Sequence, residues 1–224
     1  MTTSIAEPEM ASRLIMLLTT MMLVAQLMMV TQRTLTGNIH LFALQSLLLC
    51  GVAGIAAYVH DATHVYYVIA LTLAGKVIAL PLFLKQVVRR IKINQELKPL
   101  INSSTAMLLC GGFTLLGYLV ARSFAPEAEL INSTFGISIA LVLMGFFLMI
   151  DRHTAITQVL ALLSAENGLV LAALSLTTYG MPLVVELGIF FDLFVAVMVL
   201  GILVYRIRET FSSIDVERLN QLKG

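Results

Sequence analysis

Apolar runs of about 20 residues, the length a helix needs to cross a hydrocarbon core about 30 Å thick, recur along this chain between short charged links. Seven such runs fit: about Leu14–Val30, Ile39–Tyr58, Val65–Leu84, Thr105–Val120, Thr134–Ile150, Thr154–Leu176, and a last one from Pro182 to near Tyr205-Arg206. Lipid offers the backbone no hydrogen-bond partners, so each run must satisfy its own amides as a helix. The expected fold is therefore all-α, an integral membrane helical bundle of about seven transmembrane helices. Composition agrees, with 59% hydrophobic and 12% charged residues over 224 positions. An ordinary soluble domain is about one-quarter charged, and disordered chains are more polar still, so both are excluded. The runs leave little length for a soluble catalytic domain. A formal net charge of +1 supplies no bulk attraction for nucleic acid, so the first partner expected is the lipid bilayer.

Lysine and arginine set the expected orientation, because short cytoplasmic loops are enriched in both. With the basic loop 85–98 in the cytoplasm, alternation puts Arg33, Lys85, Arg89, Arg90, Lys92, Lys98, Arg152, Arg206, Arg208, Arg218 and Lys223 inside. Arg13 and Arg122 fall outside, with Glu7, Glu9, Asp61, Glu127 and Glu129. The N-terminus is then outside and the C-terminus cytoplasmic. Tyr58, Tyr66, Tyr67, Tyr118 and Tyr179 collect near the outer face and Tyr205 near the inner one, as expected of aromatic side chains at interfaces. Acidic Glu7 and Glu9 precede the first run and no small-x-small cleavage site follows it, which predicts an uncleaved first span.

Cys50 and Cys110 lie inside apolar runs, without a CxxC motif or a histidine at ligand spacing. An iron–sulfur cluster needs about four thiolates, so both read as packing residues. His40, His60, His64 and His153 sit at span ends. His60 and His64 read as solvated loop histidines rather than metal ligands. No metal site and no catalytic residue is expected in this chain.

Four ionisable residues interrupt the apolar runs: Lys76, Glu166, Glu186 and Asp192. Such a group costs about 3 kcal/mol at mid-membrane on insertion scales, and persists when paired, hydrated or used to move protons. At about 1.5 Å of rise per residue, Glu166 lies roughly 18 Å from the inner boundary, and Asp192 and Lys76 roughly 15 and 16 Å from the outer one. All three converge near the midplane, whereas Glu186 sits one turn inside the outer boundary. Burial raises a carboxyl pKa and a nearby ammonium lowers it, which suits a proton relay. A static ion pair of Lys76 with Glu166 or Asp192, orienting the helices, is the competing reading.

Gln45, Ser46, Ser164, Asn167 and Thr72 add polarity within the runs, as a wet interior or as helix-packing contacts. Gly51, Gly54, Gly75, Gly111, Gly112, Gly117 and Gly168 are expected to let helices approach closely. Pro81 frees the Val77 carbonyl just below Lys76, which predicts a kink or a hydrated break in the third run.

Residues 41–92 and 158–208 read alike. In each, a helix with a mid-span polar residue, Gln45 or Glu166, is followed by an outer link and a helix with a charge, Lys76 or Asp192, ending in basic residues. This suggests a three-plus-one-plus-three layout. A first three-helix unit spans 1–100, a connecting span 101–131, and a second three-helix unit with a cytoplasmic tail 132–224. Transporters often carry repeats with sites between them.

At these residues the chain resembles a known family. Glu166-Asn167-Gly168, the stretch PLVVELGIFFDLFVAVMVL with Glu186 and Asp192, and the tail from Ile214-Asp215 to Leu222-Lys223-Gly224 look like the membrane component E of hydrogenase-4. The resemblance runs more weakly along the whole chain. The C-terminal third is also similar to the K subunit of respiratory complex I and the C subunit of multisubunit sodium/proton antiporters. Those carry a carboxylate in each of two consecutive helices. Glu166 matches the first and Asp192 the second, with Glu186 the other candidate.

The resemblance implies a non-catalytic subunit of a group 4 membrane-bound nickel–iron hydrogenase complex of formate-hydrogenlyase type. It implies a bacterial or archaeal cytoplasmic (inner) membrane. Implied partners are antiporter-like and complex-I-H-like membrane subunits, together with soluble hydrogenase and iron–sulfur subunits. Those soluble subunits would hold the nickel–iron centre and the clusters, with no cofactor in this chain. Glu166, Asp192, Glu186 and Lys76 would form a proton or ion relay, supported by Gln45, Asn167 and Ser164. The alternatives are a stand-alone secondary ion transporter and a purely structural membrane scaffold.

Overall fold

The computed structural model describes residues 8–59, 63–91, 99–124, 129–152 and 154–177. Its regular elements are helices: α1 (Pro8–Thr31), α2 (Leu35–Val59), α3 (Thr63–Thr72), a π-helical segment (Leu73–Ala79), α4 (Leu80–Ile91), α5 (Ser103–Phe124), α6 (Glu129–Asp151) and α7 (Ala155–Thr177). Among the described residues, five helical stretches are long and apolar enough to cross a membrane: Glu9–Thr31, Leu35–Val59, Ser103–Phe124, Asn132–Asp151 and Ile156–Leu176. The chain is thus a multi-pass helical membrane protein. The seventh apolar run and the tail lie outside the described residues.

Local chemistry fixes the helix limits. Pro8 stands at the first position of α1, where its missing N–H is harmless. An exposed Arg13–Glu9 pair at 2.6 Å then extends α1 ahead of the apolar run. Thr154 opens α7, its carbonyl accepting from the Gln158 amide at 3.0 Å, as a helix-capping residue does. The third run is not one α-helix. It continues from α3 into the π segment and on into α4, so the chain stays helical past Pro81 with no break. The Leu80 N–H bonds the Gly75 carbonyl, five residues back. A π turn is one way a helix re-satisfies groups freed near a proline.

Neighbouring helices alternate in direction, and cross-contacts identify the two ends. Arg152, just after α6, reaches the carbonyls of Val30 and Gln32 at the end of α1. Lys85 of α4 meets His40 of α2. Arg33, His40, Lys85 and Arg152 therefore share one end of the bundle. Tyr58, Tyr66, Tyr67 and Tyr118, all exposed, share the other.

α6 packs most extensively against α7 and α5, α1 against α2 and α6, and α2 against α7. Glycines set the closest approaches. A Cβ on Gly145 would come within 2.8 Å of the Ala165 backbone, and one on Gly168 within 3.0 Å of the Ser138 carbonyl oxygen. A Cβ on Gly117 would strike the Gly136 carbonyl. Of the glycines expected to make such contacts, Gly117 and Gly168 do. Among the described residues, Gly51 meets only the tip of Leu18 at 3.2 Å, and nothing comes within 4 Å of a Cβ on Gly54, Gly75, Gly111 or Gly112. Gly75, Gly111 and Gly112 are exposed.

The interior is layered. Toward the basic end, Met29, Leu35, Ile39, Phe42, Leu84, Met144 and Leu160 belong to one apolar cluster. Toward the tyrosine end, Met22, Leu49, Val52, Leu141 and Leu171 form another. Along α1, α2 and α7 the residues between the two clusters are polar: Gln26, Gln45, Ser46, Ser164 and Asn167, all buried. Outward faces are apolar, as with Leu17, Met21, Val24 and Met28 along α1. In lipid such a stripe is the solvated face, since hydrocarbon replaces water as the solvent.

Candidate functional site

The polar layer is built around Lys76. The π segment carries this lysine into the bundle, where it is only 4% exposed. Its ammonium lies 3.3 Å from Oε2 of Glu166 on α7, which is 2% exposed. It also donates to Oδ1 of Asn167 at 3.3 Å. Burying either charge alone would cost several kcal/mol, roughly, and a partner with good hydrogen bonds offsets much of that. π turns occur often at functional sites, and this one holds the single charge of its helical run among residues 63–84.

Asn167 links the ion pair to the amides. Its Nδ2 donates to Gln45 Oε1 at 3.3 Å and to Ser46 Oγ at 3.1 Å. Gln45 Nε2 then donates to Gln26 Oε1 at 3.0 Å. Ser164 has one hydroxyl proton and two acceptors in reach, Gln45 Oε1 at 2.9 Å and Gln26 Oε1. A hydroxyl donates one hydrogen bond at a time, so this proton has two alternative positions. Nε2 of Gln26 is buried without a hydrogen-bond partner among the described residues.

The structure thus brings together Lys76, Glu166, Asn167, Gln45 and Ser164. Glu186 and Asp192 lie outside the described residues. Thr72 makes none of these contacts. Sequence reasoning missed Gln26, although a lone amide in the middle of the first apolar run was a usable signal. Cys50 and Cys110 are buried. Among the described residues no three His, Cys, Asp or Glu side chains converge as a metal-holding group.

A second polar node closes the basic end. Asp151 Oδ1 accepts from the Ile101 amide at 2.9 Å, and its carbonyl from the Leu100 amide at 3.2 Å. Arg152 Nη2 donates to the carbonyls of Val30 at 2.8 Å and Gln32 at 3.1 Å. A guanidinium there satisfies helix-end carbonyls and complements the negative end of the α1 dipole. Burial pushes the Arg152 pKa down, and the Asp151 carboxylate partly opposes that. The guanidinium stays charged at any ordinary pH.

Fold and site together define a class, a multi-pass helical membrane protein with a lysine–carboxylate pair buried in its bundle. Within it, the chain is homologous to hydrogenase-4 component E. It is 25% identical to that protein of Escherichia coli K12 over 91% of this chain and 94% of the relative. The same identity and coverage hold for hydrogenase-4 component E of Shigella flexneri. An uncharacterized protein of Mycobacterium tuberculosis is 29% identical over 90% of this chain and 92% of its own. The resemblance read from the sequence is borne out by these matches. No protein-family profile matches the chain, and no solved structure does.

Proposed function

We propose that this chain is a non-catalytic membrane subunit of a membrane-bound nickel–iron hydrogenase complex of formate-hydrogenlyase type. Its buried charges would couple redox chemistry in soluble partner subunits to movement of protons or sodium ions. The observation that carries the reading is the Lys76–Glu166 pair, buried at 3.3 Å and joined to an ordered amide layer. Ionisable groups persist inside a membrane when they are paired or when they move protons, and this pair fits both descriptions. In this relay Glu166 would take up and release the proton beside Lys76. Asp192 and Glu186, in the seventh apolar run, would extend the relay laterally. The nickel–iron centre and the clusters would belong to soluble partners, because this chain has two cysteines.

The reading counts the α3–α4 run as a crossing and the run from Pro182 as the seventh. It puts the N-terminus outside, the C-terminus in the cytoplasm and the chain in a bacterial or archaeal inner membrane. Residues 1–100 and 132–224 would form related three-helix units joined by 101–131. Antiporter-like and complex-I-H-like subunits would flank it. Homology to hydrogenase-4 component E and the gathering of Arg33, Lys85 and Arg152 at one end support these assignments.

Two experiments test it. Mild-detergent extraction with a tag should co-purify nickel, iron and hydrogenase-like subunits; recovery of a lone, metal-free chain overturns the assignment. Glu166→Gln in the intact complex should abolish or strongly reduce ion pumping while dye-linked hydrogenase activity persists. Pumping at the wild-type rate removes Glu166 from the relay.

A further inference from the structure

His40 of α2 and Lys85 of α4 meet at the basic end of the bundle, away from the relay, with Lys85 Nζ 2.8 Å from His40 Nε2. The histidine is oriented by its other ring nitrogen, 2.8 Å from the Thr36 carbonyl. A carbonyl only accepts, so Nδ1 carries the proton and Nε2 is the acceptor for the ammonium. His40 thus pins the Lys85 head at the rim and uses one of its three donors.

Two exposed apolar stripes start from this point and run toward the bundle middle. On α2, His40 is followed on the same face by Leu44 and Leu47, at 45% and 47% exposure. On the antiparallel run, Lys85 is preceded by Leu82 and Ile78, at 61% and 50%. The spacings of three and four residues keep each stripe on one face, and seven residues reach roughly 10 Å in depth. A cationic head with spare donors therefore stands at the start of two exposed aliphatic rows on neighbouring antiparallel helices.

We infer that His40 and Lys85 form a binding site for the phosphate of an anionic phospholipid, with an acyl chain along Leu44, Leu47, Leu82 and Ile78. Charge favours this occupant. Arg33 and Lys85 are accessible at this end, α4 continues past Lys85 to Arg89 and Arg90, and Asp151 is buried against Arg152 and the backbone of residue 101. Basic clusters beside helix ends attract anionic headgroups in the adjacent leaflet.

The test uses the full chain, extracted in mild detergent, delipidated and given equal amounts of phosphatidylglycerol and phosphatidylcholine. Native mass spectrometry then counts retained lipid. Wild type should retain the glycerol lipid about fivefold more than the choline lipid, the preference one surface lysine supplies. Lys85→Gln should abolish that preference and Lys85→Arg should keep it. Leu82→Gln should lower retention without altering charge. Unchanged preference in Lys85→Gln overturns the proposal. Equal displacement by inorganic phosphate would mean that the apolar strip takes no part, and overturns the lipid assignment.

Discussion

Asn167 turns its amide oxygen toward Lys76, 3.3 Å from the ammonium, and this one orientation sets the polarity of the buried layer. A flipped amide would place its NH₂ against a group that can only donate. With Oδ1 on the lysine, Nδ2 must donate to Gln45 and Ser46, which leaves Gln45 Nε2 to donate to Gln26. The string of amides is thus aligned by the charge at its end. A change in the Lys76–Glu166 pair would be felt as far as α1.

The ion pair itself should behave as a coupled unit. Removing one partner of a buried pair typically costs about 3–5 kcal/mol, because a charge is left alone, while replacing both with apolar residues is often neutral. Lys76→Met and Glu166→Leu should each lower unfolding stability in detergent micelles, and the double variant should lose less than the sum of the two. Strict additivity in that cycle would show that the two charges do not sense each other.

Ser164 joins two glutamines from different helices with a single proton. Ser164→Ala removes the one donor shared between Gln26 Oε1 and Gln45 Oε1, each of which keeps another donor, Gln45 Nε2 or Asn167 Nδ2, so the loss should be that of one buried hydrogen bond, about 1 kcal/mol. The control is Ser123→Ala, an exposed serine that bonds only its own helix at Val120, expected within about 0.5 kcal/mol of wild type. Comparable losses in both variants would mean that the buried network adds no stability.

Much of this site was legible in the sequence because lipid makes polarity conspicuous. Lys76 and Glu166 stood out inside apolar runs, and depth counting placed them at one level. Gln45, Ser164 and Asn167 followed by the same logic. Gln26 did not register, since an uncharged amide in a methionine-rich run is weak contrast. The role of Arg152 was hidden, because beside Asp151 it reads as the end of a span. Its partners, Val30 and Gln32, lie 122 and 120 residues away, and only tertiary packing brings them near. The π turn was visible only as Pro81, and the local sequence does not state how a helix accommodates a proline. Gly136 and Gly145 were missed for a similar reason, as contact depends on which helix lies opposite.

Arg152 should resist its usual conservative replacement. One Nη atom serves the carbonyls of both Val30 and Gln32, and a lysine lacks the planar, preorganised donor fork. Arg152→Gln and Arg152→Lys should both destabilise the protein, by about 1–3 kcal/mol for unpaired buried groups. They should also raise amide exchange at the C-terminal turn of α1. Wild-type protection there in Arg152→Lys would mean that charge alone secures the helix end.

Gly145 tests whether helix spacing positions the charges. It faces Ala165, the residue before Glu166, so tightly that an added Cβ would sit 2.7 Å from the Ala165 Cβ and 2.8 Å from its backbone. Backbone cannot rotate away as a side chain can, so α6 and α7 must separate. Overpacking of this kind costs about 1–3 kcal/mol. Gly145→Ala should therefore lower thermal stability, and Gly145→Val should lower it further. Gly112→Ala, where no described residue stands within 4 Å, should be neutral or slightly stabilising, since alanine favours helix. Moving α7 also moves Glu166 relative to Lys76, so the energetic coupling of that pair should shrink in the Gly145→Ala background. Undiminished coupling there would show that the ion pair holds its own geometry independently of the α6–α7 contact.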